Sequence, residues 1–413
     1  MTGGIARGRI SVRTLQETLG PMSDQRLRTV ILPMPDGERI ALSIEASSGL
    51  PHVDFSRYVL LDRRAKRACS TTINDFAALA ILEEWAANRG INLSERLRGL
   101  TSFSAKEISD LVLRLRERRH ATSKSRVVSD GRWVNRVDAV RAYFKFEFGE
   151  ALHRLAKDNS RYGASLDKAQ RVLTQLKRDR PVFSSSPRVG LPPRLVERLF
   201  FVTGEDHPEN PWEDNVRKRN RMMILLLCCL GMRLGELLSL RLSDVRSRGG
   251  LPEVDIRHHP IDPNDSRKIQ PGLKTLGRRL PIGRTLAKAC DDYIQNARLT
   301  NRASLESDYL VLSREGKPLS ARAAQAVVQR LRLRHSEFTD LCPHQLRNTW
   351  SDEVQQLLAS SGLNAHQAHD VHTYMGGWVS NSEQPLRYSR GWLNLQAQKI
   401  GMLAQDSFFA RDN

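Results

Sequence analysis

One stretch of the sequence constrains the fold more than any other, because it joins a long uncharged run to an arginine. From Met222 to Met232 the chain carries no charge, and Arg233 follows at once, with Glu236 three residues later. A guanidinium stays protonated at any ordinary pH, and burying it without a partner is strongly unfavourable. The run therefore predicts a buried core helix whose end presents Arg233 either to Glu236 or to an anion from outside.

The net charge is strongly positive and unevenly distributed. There are 65 Lys and Arg against 46 Asp and Glu, which gives +19. Residues 101–200 hold 22 basic and 11 acidic residues, against 14 and 11 in residues 1–100 and 29 and 24 in residues 201–413. More than half of the excess thus lies in a quarter of the chain, which favours a nucleic-acid partner. A solubilising surface charge or an acidic lipid surface is the alternative.

Composition also limits the class of protein. Hydrophobic residues make up 40% of the 413 residues, enough for two or three globular domains. No stretch reaches the roughly 20 apolar residues of a membrane span, and the start of the chain lacks the apolar segment of a secretory signal. Five cysteines without a C-x-x-C pair indicate reduced thiols. We therefore expect a cytoplasmic protein without a membrane partner.

The residue pattern divides the chain into four segments. Apolar residues alternate around a Pro-Asp-Gly sequence in the first segment and predict a β-hairpin there. The second has helical periodicity, the third is rich in Pro, Ser and Arg, and the fourth is mostly helical with strands between 251 and 284. The segments are an N-terminal extension (1–70), a helical domain (71–177), a linker (178–194) and a second domain (195–413).

One predicted helix of the first domain carries apolar residues at helical spacing and basic residues elsewhere. We expect its basic residues to contact phosphates, and a solvated surface is the alternative. The candidates are Arg132, Arg136, Arg141 and Lys145.

Four motifs of the second domain carry side chains suited to chemistry on a phosphate. Alone, each has an ordinary explanation, such as a buried Arg–Glu pair, a solvated lysine, a surface helix pair or a packed tyrosine. They are "GMRLGELLSL" with Arg233, the strand-like "GLKTLGRRLPI" with Lys274, "PHQLRNTW" with His344 and Arg347, and "GGWVSNSEQPLRYSRGW" with Trp378 and Tyr388.

Together, and in this order, the motifs resemble the tyrosine recombinase family, also called the lambda integrase or phage integrase family. The resemblance is closest over 231–245 and 343–350, extends more loosely over 71–177, and does not cover 1–70. It implies a mainly α fold with a small β-sheet or hairpin. The domains would form a two-domain C-shaped DNA clamp, with a helical core-binding domain, a mixed α/β catalytic domain and an N-terminal extension.

The resemblance also implies an activity. The protein would be a site-specific recombinase or integrase that cleaves and rejoins DNA through a 3′-phosphotyrosyl intermediate formed by Tyr388. Lys274 would protonate the leaving 5′ oxygen as general acid, and Glu236 would support Arg233. Because the phosphotyrosyl bond conserves the energy of the broken linkage, no ATP, metal or other cofactor is expected. The side chains that would bind the scissile phosphate are Arg233, His344, Arg347 and Trp378.

The sequence departs from the family pattern in three places. Trp378 replaces the second histidine, an exchange that Cre recombinase shares, and its spacing to Tyr388 is one residue longer than usual. The segment before Trp378 is lengthened and holds three histidines and Tyr374, a rival nucleophile whose position before Trp378 does not fit the family order. The strand pair with Lys274 is also lengthened, which makes Lys268 the second candidate acid. The histidines are His366, His369 and His372, at spacing that could also suit a metal.

The expected partners are double-stranded recombination sites and three further copies of the chain, together with sister recombinases or accessory proteins. The C-terminal segment predicts a helix that docks on a neighbouring subunit or on its own domain. Alternative functions are a type IB topoisomerase or a catalytically weak DNA-binding accessory protein. Target sequence and direction of exchange are not encoded in any pattern we can interpret. The apolar face of that helix comprises Leu393, Ala397, Ile400, Ala404 and Phe408.

Overall fold

The structure is a computed structural model that describes residues 26–122, 125–155, 159–182, 189–246 and 250–409. The chain divides into two compact units, Met1–Ser185 and Ser186–Asn413, and the division falls inside the predicted linker. Within the described ranges, no helix combines the length and the apolar character that a membrane crossing requires.

The predicted hairpin is the first element in the described part of the first unit. Strands β1 (Leu27–Pro33) and β2 (Arg39–Glu45) pair antiparallel. Gly37, at φ 88°, supplies the left-handed conformation that the turn requires. The hairpin contributes Leu27 and Ile40 to the same core as the helices that follow.

Helices form the rest of the first unit. A short strand pair, β3 (Glu117–Thr122) with β4 (Ser125–Val127), precedes the longest of them. Aromatic side chains of three helices, including Trp85 and Tyr143, fill the core. The helices are α1 (Val53–Tyr58), continued by a π-helical turn (Val59–Arg63) and a short segment (Arg64–Lys66), α2 (Cys69–Ala87), α3 (Leu93–Arg98), α4 (Ala105–Arg114), α5 (Asp130–Arg154) and α6 (Tyr162–Arg178).

The second unit surrounds a small antiparallel sheet with helices. The sheet has the order β5 (Val245–Arg246), β6 (Glu253–Ile256) and β7 (Arg278–Pro281), which confirms strands between 251 and 284. The helices are α7 (Pro193–Val202), α8 (Asp214–Cys229), α9 (Leu234–Ser239), α10 (Arg284–Tyr293), α11 (Ala321–Arg334), α12 (Pro343–Ala359), α13 (Ala365–Gly376), α14 (Gln384–Tyr388) and α15 (Arg390–Phe409).

Residues 222–229 of the uncharged run form the second half of α8 and, apart from the exposed Cys229, are buried, as predicted. The helix ends at Cys229, however, and Arg233 is the N-cap residue of α9. The arginine therefore lies on the turn after the apolar helix, where its side chain can leave the core. The mainly α fold with small sheets is confirmed, whereas the division into an extension, core-binding, linker and catalytic segments stays a prediction.

Candidate active site

The turn between α8 and α9 places Arg233 beside α12. Gly231 adopts φ +58°, and a Cβ atom on it would lie 2.2 Å from the Trp350 ring, so the turn requires glycine. The Gly231 carbonyl accepts a hydrogen bond from the Arg347 guanidinium. The same turn thus presents one arginine and fixes another.

Glu236 is the buried acceptor at the centre of this region. Its carboxylate accepts the backbone N–H of Arg233 at 2.9 Å and Nη2 of Arg278 at 2.9 Å, and the Thr275 hydroxyl also donates to it. Burial alone would raise the pKa of Glu236, but the charge and hydrogen bonds of Arg278 outweigh it and lower this pKa. Glu236 is therefore ionised and chiefly paired with Arg278. The Arg233 guanidinium is 3.5 Å away and its side chain is 25% exposed, so much of its charge remains available.

Arg278 is a site residue that the sequence analysis missed. It starts β7 and faces the core, in phase with Leu280, whereas Arg279 faces outward. Residues alternate between the two faces of a strand, so the position of Leu280 predicts that Arg278 faces the core. A strand arginine is, however, ordinarily assigned to the outer face. Because Arg278 neutralises Glu236, the carboxylate does not cancel the charge of Arg233.

Arg347 is a buried cation on α12 with 1% of its surface exposed. Its guanidinium donates to the carbonyls of Gly231 and of Gly376, the latter at 2.7 Å, while its Nε is unsatisfied. No carboxylate in the described ranges forms an ion pair with it. Burial, together with the charge of Arg233, lowers the pKa of Arg347 to about 9, so the group stays protonated at neutral pH. A buried cation with this surrounding is suited to an anionic ligand.

Three ring side chains meet around Arg347. The Tyr388 ring lies 5.0 Å from the His344 ring and 5.4 Å from the Trp378 ring, and the Arg347 guanidinium lies 5.1 Å from the Tyr388 centroid. The indole N–H of Trp378 is buried without a hydrogen-bond partner among the described residues. The structure thus brings together five of the six predicted catalytic residues: Arg233, His344, Arg347, Trp378 and Tyr388.

Lys274, the sixth predicted catalytic residue, is exposed. The sequence predicted a strand at this position, but the structure has a loop. It belongs to the loop that precedes β7. In that loop, Leu276 donates its N–H to the Gly377 carbonyl at 2.9 Å, and the Thr275 hydroxyl donates to Glu236. The loop is therefore anchored to the site just beyond Lys274, while the ammonium is free to extend into solvent. Lys268 is also exposed in this loop.

The rival nucleophile lies elsewhere. Tyr374 is 56% exposed on α13, and its hydroxyl donates to the Arg279 carbonyl at 3.3 Å. Its ring makes none of the stacking contacts that surround Tyr388 among the described residues, which favours Tyr388.

The three histidines before Trp378 do not converge. His366 pairs with Asp370 at 3.0 Å on the surface, whereas His372 is buried on α13. Across the described ranges, no three His, Cys, Asp or Glu side chains come close enough to hold a metal ion.

The four basic residues proposed to contact phosphates lie on α5 but do not share one face. At 3.6 residues per turn, the step from Arg132 to Arg141 is about two and a half turns, so these residues point in opposite directions. Arg136 donates to the carbonyls of Leu115 and Glu117, and Arg141 donates to that of Leu173. Arg132 and Lys145 are the exposed members of the set, and phosphate contact by these residues stays a prediction.

Comparison with known proteins agrees with this geometry. Residues 206–383 match the phage integrase family. The tyrosine recombinase XerC of Bacillus licheniformis is 25% identical over 285 residues, which cover 66% of this chain and 79% of XerC. XerC of a Roseiflexus species is 27% identical over 270 residues, covering 65% and 70%.

The fold matches that of the Tn1549 transposon integrase, solved in complex with transposon right end DNA. The TM-score is 0.54 at 17% identity, over 84% of this chain and 98% of that one. The family match spans the turn of Arg233, the histidine and arginine of α12 and the buried tryptophan. Residues 206–383 of this chain thus form a phage integrase domain, and the XerC proteins to which the chain is similar are tyrosine recombinases, enzymes that cleave and rejoin DNA.

Proposed function

We propose that this protein exchanges strands at specific DNA sites, with Tyr388 as the nucleophile. The observation that carries the proposal is the environment of Arg347, a buried cation without an ion-pairing carboxylate among the described residues, next to the Tyr388 ring and an unsatisfied indole N–H. A phosphodiester supplies the negative charge and the acceptor oxygens that these groups lack.

The chemistry follows from these groups. Arg233 and Arg347 bind the non-bridging oxygens of the scissile phosphate, and His344 and the Trp378 indole donate to the same group. The Tyr388 oxygen attacks phosphorus and loses its proton to solvent as the bond to the 5′ oxygen breaks, and Lys274 gives that 5′ oxygen a proton. One phosphate ester replaces another, so the 5′ hydroxyl of a second strand can reverse the step without ATP or metal.

The wider assembly is also part of the proposal. We infer that a homotetramer holds two duplex sites, and that sister recombinases or accessory proteins are further partners. We expect the protein in the cytoplasm, at the nucleoid. Helix α15 packs on α12 near its start, where the Trp392 N–H donates to Asp352 at 2.8 Å. Apolar side chains further along α15 are exposed, which supports docking on a neighbouring subunit. The exposed apolar side chains of α15 include Leu395, Ile400 and Leu403.

Covalent trapping tests the nucleophile. A duplex is selected by the protein from a random library and then nicked beside the cleavage point, so that the short product dissociates and the adduct accumulates. We expect wild-type protein and Tyr374→Phe to form an adduct that survives denaturing electrophoresis, and Tyr388→Phe to form none, because a ring without the hydroxyl cannot attack phosphorus. An adduct with Tyr388→Phe, or none with wild type, contradicts the assignment.

A further inference from the structure

A chain of buried polar side chains lies behind Tyr388. His372 Nε2 is 2.9 Å from the Ser351 hydroxyl, and that hydroxyl is 3.2 Å from the hydroxyl of Ser389, the residue after Tyr388. On its other side, His372 Nδ1 is 3.1 Å from Gln355 Oε1. His372, Ser351 and Ser389 are all fully buried. The chain thus joins three elements, α13, α12 and the end of α14.

The hydrogen bonds are consistent with a neutral imidazole. If Nδ1 carries the proton and donates to Gln355, Nε2 accepts from the Ser351 hydroxyl, which in turn can accept from Ser389. Burial, reinforced by the charge of Arg347 and by His369, lowers the pKa of His372 to about 4, so the ring stays neutral at physiological pH. Every member of the chain then has a donor or acceptor facing it.

Ser389 connects these hydrogen bonds to Tyr388, the residue before it. It ends the five-residue helix α14, and its N–H donates to the Pro385 carbonyl at 3.0 Å. Its single hydroxyl proton can go either to Ser351 or to that carbonyl, which lies 2.8 Å away. Ser351 lies one turn beyond Arg347 on α12. These hydrogen bonds therefore fix the position of Tyr388 relative to α12, the helix that carries Arg347.

Aromatic rings pack around the His372 ring, which makes its hydrogen bonds informative. Tyr388 belongs to a buried cluster with Trp350 and Trp378, and the His372 ring lies 5.6 Å and 5.5 Å from those two indoles. An apolar side chain at 372 would fill this space without fixing a direction. Hydrogen bonds in a buried network select one geometry, because any other arrangement leaves a polar group unsatisfied.

We propose that His372, acting through Ser351 and Ser389, is a positioning residue that holds the Tyr388 hydroxyl in line with the scissile phosphate. The proposal rests on the function proposed above, since it takes Tyr388 as the nucleophile. His372 does not touch the DNA, so it affects the rate of attack and not the affinity for the site.

Two amide substitutions separate the two sides of the imidazole. His372→Gln places an amide near the position of Nε2 and keeps the contact to Ser351, whereas His372→Asn places it near Nδ1 and loses that contact. Ser351→Ala removes the next member of the chain without changing the ring. Each variant is measured for adduct formation at saturating protein on the nicked duplex, for the dissociation constant of the site and for thermal unfolding.

We expect His372→Asn and Ser351→Ala to slow adduct formation about tenfold or more, since sub-ångström misplacement of a nucleophile is costly. His372→Gln should stay within about threefold of wild type, and all three should keep the wild-type dissociation constant. The defect should persist on DNA whose bridging 5′ oxygen is sulfur, because a better leaving group does not correct a misplaced nucleophile. The double variant that combines His372→Asn with Ser351→Ala should form the adduct no more slowly than either single variant.

The proposal is overturned if Ser351→Ala forms adduct at the wild-type rate, or if His372→Gln and His372→Asn slow it equally. It is also overturned if the slowing tracks only a fall in unfolding temperature or in affinity. These results leave the assignment of Tyr388 intact, because wild-type protein still forms the adduct and Tyr388→Phe does not.

Discussion

At the residue scale, two of the cations at the site, Arg347 and Lys274, lie in opposite environments. Arg347 is fixed by backbone carbonyls and aromatic rings, whereas Lys274 is exposed on a loop that is anchored to Glu236 and to Gly377 just beyond it. A fixed guanidinium suits charge that develops on the phosphate, while an ammonium on a flexible stem can deliver a proton. We therefore expect the two to contribute to different parts of the reaction.

Lys274→Ala should slow cleavage of ordinary DNA about 100-fold or more, the usual contribution of a general acid. Replacing the bridging 5′ oxygen by sulfur should restore most of the rate, because a thiolate departs without being protonated. Lys268→Ala, a matched change in the same loop, should behave as wild type on both substrates. If the sulfur substitution rescues Lys268→Ala instead, the general acid is Lys268. Single-turnover cleavage rates on the two substrates provide the measurement.

At the element scale, the sequence predicted local patterns better than buried polar contacts. The hairpin, the apolar helix α8 and the capped start of α12 follow from alternation, helical periodicity and a proline at the first turn, which are properties of neighbouring residues. The burial of His372 depends on what folds against it, so no local pattern revealed it. For Arg278, strand alternation predicts an inward position, but its charge favours the outer face. The carbonyl contacts of Arg136 and Arg141 on α5 could not be predicted for a related reason, since their partners lie in distant segments.

The link between β7 and α9 provides a stability prediction. Arg278→Met should lower the free energy of unfolding by about 3–5 kcal/mol, because it leaves the buried Glu236 carboxylate without its main partner. Arg279→Met, on the next and exposed position of the same strand, should change it by less than about 0.5 kcal/mol. Urea denaturation followed by circular dichroism measures both.

The pH dependence of the Arg278→Met variant sharpens this test. In wild type, Arg278 holds the pKa of Glu236 below its ordinary value, so the pair stabilises the fold at neutral pH and loses this contribution as the pH falls. Without Arg278, burial raises that pKa, and the loss of stability should be smaller at mildly acidic pH than at neutral pH. Equal losses at both pH values would show that the carboxylate is not the cause.

At the scale of the whole molecule, charge and fold separate the tasks of the two units. The greater part of the positive excess lies in residues 101–200, most of which belong to the first unit, whereas the groups suited to chemistry lie in the second. Lys and Arg on a surface bind the DNA backbone irrespective of sequence, and a buried cationic site acts on one phosphate. Affinity and catalysis should therefore respond to different substitutions.

Salt dependence tests this separation, because each protein–phosphate contact releases bound counterions. The association constant of the whole protein for duplex DNA should fall steeply as salt rises. Arg132→Gln and Lys145→Gln should each reduce the slope of log K against log salt by about one. Arg141→Gln is the control on the same helix: its guanidinium binds the Leu173 carbonyl, so its loss should lower the unfolding temperature and leave the slope nearly unchanged. Fluorescence anisotropy across a salt series gives the slopes. A nearly flat response of the wild-type protein, or an equal change of slope in all three variants, would rule out phosphate binding by the exposed pair on α5.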